Sequence, residues 1–231
     1  RLSGYMIENA LTSGIVSMGV DVYLLGPMPT PSVALLTRSL NAQLGIMITA
    51  SHNPAQDNGI KIFDKDGFKL SDQIEEEIEK IIFSDNDIKD EMKEFNGNKI
   101  GKAHRLDEAH GRYIEFAKST VKDFSLQGLK IVLDCANGAA YYVAPRVFLE
   151  LGAEVIAIND KPDGLNINKE CGATHPEVVS EVVKKEKADI GITLDGDADR
   201  VIFCDENGEI IDGDYILTFC ALDIIKNNKL N

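Results

Sequence analysis

No run of this sequence approaches the roughly 18 consecutive apolar residues of a membrane-spanning helix, so a membrane is not expected as a partner. The start shows no basic segment followed by an apolar one, so no signal peptide is expected. An initiating methionine is also lacking: Arg1 comes first, and the natural N-terminus is expected upstream of it. Positive charge is in short supply, with 24 basic against 38 acidic residues and a formal net charge of −14. Nucleic acid and anionic membranes both select positive surfaces, so neither is an expected partner. An anionic substrate would need Arg and Lys gathered locally against that global field. The four cysteines, Cys135, Cys171, Cys204 and Cys220, are widely spaced and form no CxxC pair. Cys135 and Cys204 fall in apolar, strand-like runs and read as small core residues; zinc is not expected, and a reduced, cytoplasmic setting fits. What the chain does have is length and apolar content: 231 residues, 44% hydrophobic, suffice for one large or two modest α/β domains.

Periodicity then orders the chain. Ile7, Leu11, Ile15 and Met18 recur at helical spacing up to Gly19, and Asp21 to Leu25 reads as a strand. A loop with three prolines, Gly26 to Pro31, leads to a helix over Ser32 to Leu40 and a strand over Leu44 to Thr49. Strand, helix, strand in that order predicts a parallel pair with a right-handed crossover, and functional loops at the strands' carboxyl ends. Asp57-Asn58-Gly59 predicts a turn into Ile60 to Phe63, and Asp66-Gly67 a hairpin returning through Phe68 to Leu70. Asp72 with Glu75, and Thr174 with Glu177, predict capping boxes opening two helices, the second with Pro176 in its first turn. Residues 84–102 are polar and predict a surface excursion, and Leu106 to Val121 a helix between domains. A second α/β unit follows: strand Lys130 to Asp134, helix Ala139 to Leu151, strand Glu154 to Ile158, a long loop, helix Val178 to Lys187 and strand Ile190 to Leu194. Val201 to Cys204 reads as a strand, Asn207-Gly208 as a hairpin turn, and Tyr215 to Ile225 as a closing helix.

Two loops carry candidate chemistry. Asp195, Asp197 and Asp199 alternate with small residues in Asp195-Gly196-Asp197-Ala198-Asp199-Arg200, so one loop can wrap three carboxylates around an ion. Hard oxygen ligands select Mg2+, which keeps positions open for phosphate oxygen or water. An EF-hand fits at Glu206, the twelfth position, but fails at the sixth, where Arg200 replaces glycine. A haloacid-dehalogenase-type phosphatase also places DxD after a strand, but its third Asp would ordinarily be Thr or Val. A solvated acidic turn is the plainest alternative. The other loop, Ile48 to Pro54, puts one hydroxyl, Ser51, beside one imidazole, His52. A turn or cap serine is its bland reading, but Pro54 and the Asp57-Asn58-Gly59 turn interrupt any following helix, and no GxSxG elbow is present. Phosphate on Ser51 would add roughly −1.5 to −2 charges, for a metal and Arg200 to hold. Lys61, on the strand leaving this loop, is either an exposed edge lysine or a proton-transfer group. His52 is either a hydrogen-bonding spacer or an orienting group, and Arg1 and Ser3 are candidate phosphate contacts at a helix start.

Thr49-Ala50-Ser51-His52-Asn53-Pro54 with Asn58-Gly59-Ile60-Lys61 resembles the phosphoserine loop of the α-D-phosphohexomutase superfamily. Asp195-Gly196-Asp197-Ala198-Asp199-Arg200 resembles its metal loop, in which glycine ordinarily stands where this chain has Ala198. Asp134-Cys135-Ala136-Asn137-Gly138-Ala139, Asn166-Ile167-Asn168 and Cys171-Gly172-Ala173-Thr174 resemble the bacterial phosphoglucosamine mutase branch.

The resemblance implies two tandem α/β domains with mixed, largely parallel sheets, from a four-domain protein truncated at both ends. Residues 1–105 would be domain I without its first strand, 106–210 domain II, and 211–231 the opening of domain III. It implies a phosphosugar substrate and interconversion of glucosamine 6-phosphate and glucosamine 1-phosphate through a 1,6-bisphosphate, toward UDP-N-acetylglucosamine and cell-wall precursors. Ser51 would carry the phosphate. Mg2+ would be bound by Ser51, Asp195, Asp197 and Asp199. Arg200 would stabilise the transferring oxygens, Lys61 would move the proton, His52 would orient, and Arg1, Ser3 and Asn53 would contact phosphate. The same chemistry on glucose or mannose phosphates, and an inert binding fragment, are the competing readings. This chain alone is expected not to turn over, and a homodimer is compatible with the sequence.

Overall fold

A computed structural model gives the architecture, described over residues 1–84, 99–121 and 124–226. The elements run α1 (Leu2–Ser17), β1 (Val22–Leu24), α2 (Thr30–Ser39), β2 (Leu44–Ile48), β3 (Ile60–Asp64), α3 (Asp72–Phe83), β4 (Ala103–Arg105) and α4 (Ala109–Ser119). They continue as β5 (Lys130–Asp134), α5 (Val143–Glu150), β6 (Glu154–Ile158), α6 (Pro176–Glu186), β7 (Ile190–Leu194), β8 (Val201–Cys204), β9 (Ile210–Ile211) and α7 (Gly213–Lys226). Residues 85–98 of the expected polar excursion lie outside the described residues. Two compact units form: one holds Arg1–Thr49 with Asn58–Tyr113, the other Ala50–Asp57 with Ile114–Asn231. The chain passes from one to the other within α4, and the loop Ala50–Asp57 belongs to the second unit although its flanking strands belong to the first.

In the first unit the expected parallel pairing of β1 with β2 is not found among the described residues. β1 pairs in parallel with β4, and β2 pairs antiparallel with β3 from Leu44↔Asp64 to Ile48↔Ile60. The order of elements restricts chain direction but not the neighbour, and the Asp57-Asn58-Gly59 turn brings the chain straight back on β2. Thr49 N–H donates to the Gly59 carbonyl at 2.8 Å, so residues 50–58 form the connection of a hairpin. The second expected hairpin is present: Gly67 is at φ +82° and Phe63 bridges Lys69.

Neither expected capping box forms. Ser71 and His175 hold the N-cap positions of α3 and α6, without side-chain cap bonds. The glutamates find stronger partners: Glu75 accepts from Lys69 Nζ at 3.1 Å, and Glu177 pairs with His175 Nδ1 at 3.0 Å. A cationic or imidazole donor outcompetes a neutral backbone amide for a carboxylate. Both acids still lie in the first turn, where they complement the helix dipole, and Pro176 takes the start of α6 as expected.

The second unit is built on a five-stranded sheet in the order β6-β5-β7-β8-β9. Its first three strands are parallel, and β8 and β9 continue it antiparallel. Alternation along β5 sends Ile131 and Leu133 to one face and Val132 to the other. Tyr141, Ala144 and Phe148, in and just before α5, cover the first face, and Val179 and Val183 of α6 cover the second. Both faces of the parallel strands are therefore dry, and polar function is left to the loops at their carboxyl ends.

Cys135, Cys171 and Cys204 are buried in this unit, and Cys220 on α7 is exposed. Burial, reinforced by the charge of Asp134, pushes the Cys135 thiol up to about 12 and that of Cys171 up to about 11; burial also raises Cys204. The thiolate is the reactive form. A disulfide reagent at pH 8 should therefore label Cys220 rapidly and spare the other three until denaturant is added, and peptide mapping that found fast labelling at Cys135 or Cys171 would contradict this burial.

Candidate active site

The sheet delivers the acidic loop. β7 ends at Leu194, and the next residue, Asp195, turns back on itself: its backbone N–H donates to the Arg200 carbonyl at 3.3 Å, its carbonyl accepts from Ala198 N–H at 3.0 Å, and its Oδ1 accepts from Arg200 N–H at 3.2 Å. Ala198 sits at φ +55°, in the left-handed region that favours glycine. The alanine thus costs backbone energy, about 1 kcal/mol by the usual penalty. Single carboxylate oxygens of Asp195, Asp197 and Asp199 lie within 4.8 Å of one another. Asp195 and Asp197 are each 1% exposed, and Asp199 faces solvent.

Three carboxylates so placed make a poor stabilising feature by themselves. Two unit charges 4.8 Å apart repel by roughly 3 kcal/mol at an effective dielectric constant of about 20. Burial of two of them adds a desolvation cost. A hard divalent cation offsets both, and three oxygen donors with one side open to solvent fit such an ion.

Ser51 meets this loop from the hairpin connection. Its Oγ donates to Asp195 Oδ2 at 2.6 Å and accepts from Arg200 Nη2 at 2.6 Å. Arg200 also reaches Asp195 Oδ2 through Nε at 3.2 Å and Nη2 at 3.0 Å, and lies 3.7 Å from Asp199. The same Nη2 also lies against His52 Nδ1. One guanidinium therefore ties the hydroxyl, the imidazole and two acids together. Ser51 itself is at φ +47°, a conformation that a serine holds only when its surroundings impose it.

Asn168 is one such surrounding. Its Nδ2 donates to the Ser51 carbonyl at 2.9 Å and to the Asn53 carbonyl at 3.0 Å. Asn53 turns the loop with its own N–H, which donates to the Ala50 carbonyl at 2.9 Å, and its side chain reaches Asp57. Gly196 passes directly beneath: a Cβ there would stand 2.7 Å from the Ser51 carbonyl oxygen and 2.8 Å from Asn168 Nδ2. Asp134, fully buried at the end of β5, accepts from Ala136 N–H at 2.8 Å and Gly172 N–H at 3.0 Å. Burial holds the pKa of its carboxyl above the ordinary value, although these amides and the Asn159 side chain offset part of the rise. It braces the two loops on which Asn168 and the acidic loop rest.

Ser51, His52, Asn53, the three aspartates and Arg200 are thus brought together in the second unit. Lys61, Arg1 and Ser3 belong to the first. Lys61 lies on β3 opposite Met47, and Ser3 Oγ accepts from Asn58 Nδ2 at 3.0 Å at the start of α1. The role of Asn168 was not legible beforehand. The Asn166-Ile167-Asn168 stretch stood out only as part of the resemblance, because a side chain that grips backbone 115 and 117 residues away leaves no local pattern.

Comparison with known proteins bears on what these residues do. The phosphoglucomutase/phosphomannomutase family matches twice: its alpha/beta/alpha domain I over residues 1–89 and its alpha/beta/alpha domain II over residues 111–208. The phosphoglucosamine mutase of Geotalea uraniireducens is 60% identical over 231 residues, covering all of this chain and 50% of that protein. That of Thermodesulfovibrio yellowstonii is 58% identical, with 100% and 51% covered. Among solved structures, a phosphoglucomutase/phosphomannomutase family protein from Burkholderia thailandensis superposes with a TM-score of 0.76 at 30% identity, covering 95% of this chain and 48% of that one. The chain spans about half the length of the curated relatives it matches.

Proposed function

The chain belongs to the phosphoglucomutase/phosphomannomutase family, and from that premise we propose that it is the phosphoryl-carrying half of a phosphoglucosamine mutase. The observation that carries the reading is the position of Ser51 Oγ, 2.6 Å from both a buried carboxylate and a guanidinium. The choice of glucosamine rests on the relatives of that name, which are similar along the whole chain.

In this reading phosphorylated Ser51 gives its phosphoryl group to a hydroxyl of the phosphosugar. The Oγ–P bond breaks as the sugar O–P bond forms, and the hydroxyl proton passes to Lys61. The 1,6-bisphosphate turns over, its other phosphoryl group returns to Ser51, and the second monophosphate leaves. Such transfer asks for positioning and charge neutralisation more than for covalent chemistry. Asp195, Asp197, Asp199 and an oxygen on Ser51 would hold Mg2+, which when bound neutralises and polarises the phosphate oxygens. Arg200 neutralises the same group from the guanidinium side, while His52 fixes the guanidinium plane. In the dephosphorylated state Asp195 Oδ2 holds the Ser51 proton in a hydrogen bond and so keeps Oγ aimed inward. Asn53, Arg1 and Ser3 complete the phosphate contacts. We assign residues 1–105 to the first family domain, 106–210 to the second and 211–231 to the opening of a third. The exposed Tyr215, Leu217, Phe219 and Leu222 of α7, a helix with no buried residue, support the last assignment. A cytoplasmic location suits the substrate, and no helix among the described residues is long and apolar enough to cross a membrane.

Mass spectrometry of the purified chain tests the carrier role. A fraction bearing the mass of one phosphate, mapped to Ser51 and abolished by Ser51→Ala, is the expected result; phosphate mapped elsewhere would end it. Product assays with glucosamine, glucose and mannose phosphates on the protein joined to its remaining half test the sugar. A preference for glucose or mannose phosphate would move the assignment within the family, and turnover by the 231-residue chain alone would refute its expected inactivity.

A further inference from the structure

We propose that Asn168 is a positioning residue for phosphoryl transfer, holding the Ser51 backbone in the one conformation that aims Oγ at Asp195 and Arg200. The inference rests on the reading of Ser51 as phosphate carrier, and it adds a residue that touches none of the reacting atoms.

Three observations converge on it. The Asn168 amide is forked, donating to the carbonyls of Ser51 and Asn53 at 2.9 and 3.0 Å, so it fixes both ends of the turn that presents the hydroxyl. Ser51 is held at φ +47°, where a serine does not rest on its own account. Fixing the carbonyls on both sides of His52 removes the peptide rotations by which the turn would relax. Asn168 is itself at φ +56°, and asparagine is among the few side-chain-bearing residues that tolerate this region. The backbone conformation and the forked donor are thus both asked of one position, and asparagine supplies both.

The surroundings leave the fork little room to be replaced. The carbonyl on which Asn168 acts rests on Gly196, the residue between two of the acidic ligands, at a separation that excludes a Cβ. The backbone of Asn168 is set by its N–H, which donates to the Ala136 carbonyl at 2.9 Å, two residues after buried Asp134. A short relay therefore runs from the end of β5 through Asn168 to the reactive loop, and the loop's direction is decided by the second unit. Glutamine at this position would overshoot by one methylene and lose the left-handed backbone. Aspartate would keep the shape but turn a carboxylate toward two carbonyl oxygens.

The test uses the 231-residue chain with Asn168→Gly and Asn168→Asp. Glycine keeps the left-handed backbone and removes only the fork. Backbone NMR reads two things: hydrogen exchange of the Asn53 amide, which bonds to Ala50 O, and broadening of the Ser51 and Asn53 amides by Mn2+ bound at the acidic loop. The expected result for Asn168→Gly is exchange at Asn53 faster by about tenfold, as for a lost hydrogen bond in a local opening. Broadening at Ser51 should weaken while exchange at Val132 in the core stays unchanged. Asn168→Asp should move both readouts further the same way. Unchanged exchange and broadening would overturn the proposal. So would a rise at Val132 equal to that at Asn53, which would make Asn168 a residue of general stability. Failure of Mn2+ to bind the unsubstituted chain would count against the metal reading of the site, and the exchange arm would still decide the role of Asn168.

Discussion

Replacing Asp197 with Asn should remove most of the response of this chain to Mg2+ while leaving it more stable without the ion. The trio loses one of three carboxylates gathered within 4.8 Å, and the two that remain include one that faces solvent. For a hard cation that takes its affinity from carboxylate charge and number, the expected loss is on the order of 100-fold. In the absence of metal the sign reverses. Asp197 is 1% exposed and sits among like charges, so its neutral isostere removes repulsion and should stabilise the second unit by about 1–3 kcal/mol. Thermal melts with and without Mg2+ separate the two effects. The unsubstituted chain should gain about 5–10 °C at roughly hundredfold excess of ion over Kd. Asp197→Asn should start higher and gain only about 1–2 °C at the same Mg2+ concentration. An unchanged Mg2+ response would remove Asp197 from the metal site, and joined to the remaining half of the protein such a variant would be expected to turn over normally.

Much of this site was legible because its parts lie at the ends of strands. Ile48 and Leu194 close apolar runs, and the polar residues that follow have nowhere to go but a loop at the sheet's edge. The alternation of Asp195, Asp197 and Asp199 with small residues carries its own chemistry, and the three do converge. In the sequence Ser51 is linked to the acidic loop only through an expected phosphate and metal; in the structure its Oγ reaches Asp195, 144 residues away, directly.

What escaped the sequence is of another kind. β1 pairs with β4 and not with β2, because periodicity reports direction and burial but not the neighbour. Glu75 and Glu177 have the spacing of capping boxes and were claimed by Lys69 and His175, whose charge or ring nitrogen makes the stronger bond. The allegiance of residues 50–57 to the second unit was also hidden: their covalent neighbours are strands of the first unit, and only the bonds from Asn168, Asp195 and Arg200 decide it.

The same close packing makes Gly138 a position where one methyl should harm the acidic loop and the reactive turn together. It carries no positive φ, so alanine suits its backbone and the penalty is wholly steric. A Cβ there would stand 2.4 Å from the Gly196 carbonyl oxygen, 2.8 Å from its Cα and 2.9 Å from its carbonyl carbon. All three are backbone atoms, and none can swing aside as a side-chain tip would. The same carbonyl accepts from Ala139 N–H at 2.8 Å, so retreat of the acidic loop breaks that bond as well. Above the loop lies the Ser51 carbonyl, already too close to Gly196 for any added atom, so a displaced Gly196 pushes the reactive turn in its path. Gly138→Ala should cost about 3 kcal/mol, the upper range for forcing a methyl into a packed interior. It should also weaken Mn2+ binding and speed exchange at Asn53 together, since the acidic loop and the Ser51 turn move as one stack. Gly111→Ala is the control: it lies in α4 with nothing within 4 Å of its added Cβ, and should be neutral or stabilise by about 0.5–1 kcal/mol through helix propensity. Urea denaturation of the two variants measures the contrast, and a Gly138→Ala chain as stable as Gly111→Ala would show that the two loops do not press on one another.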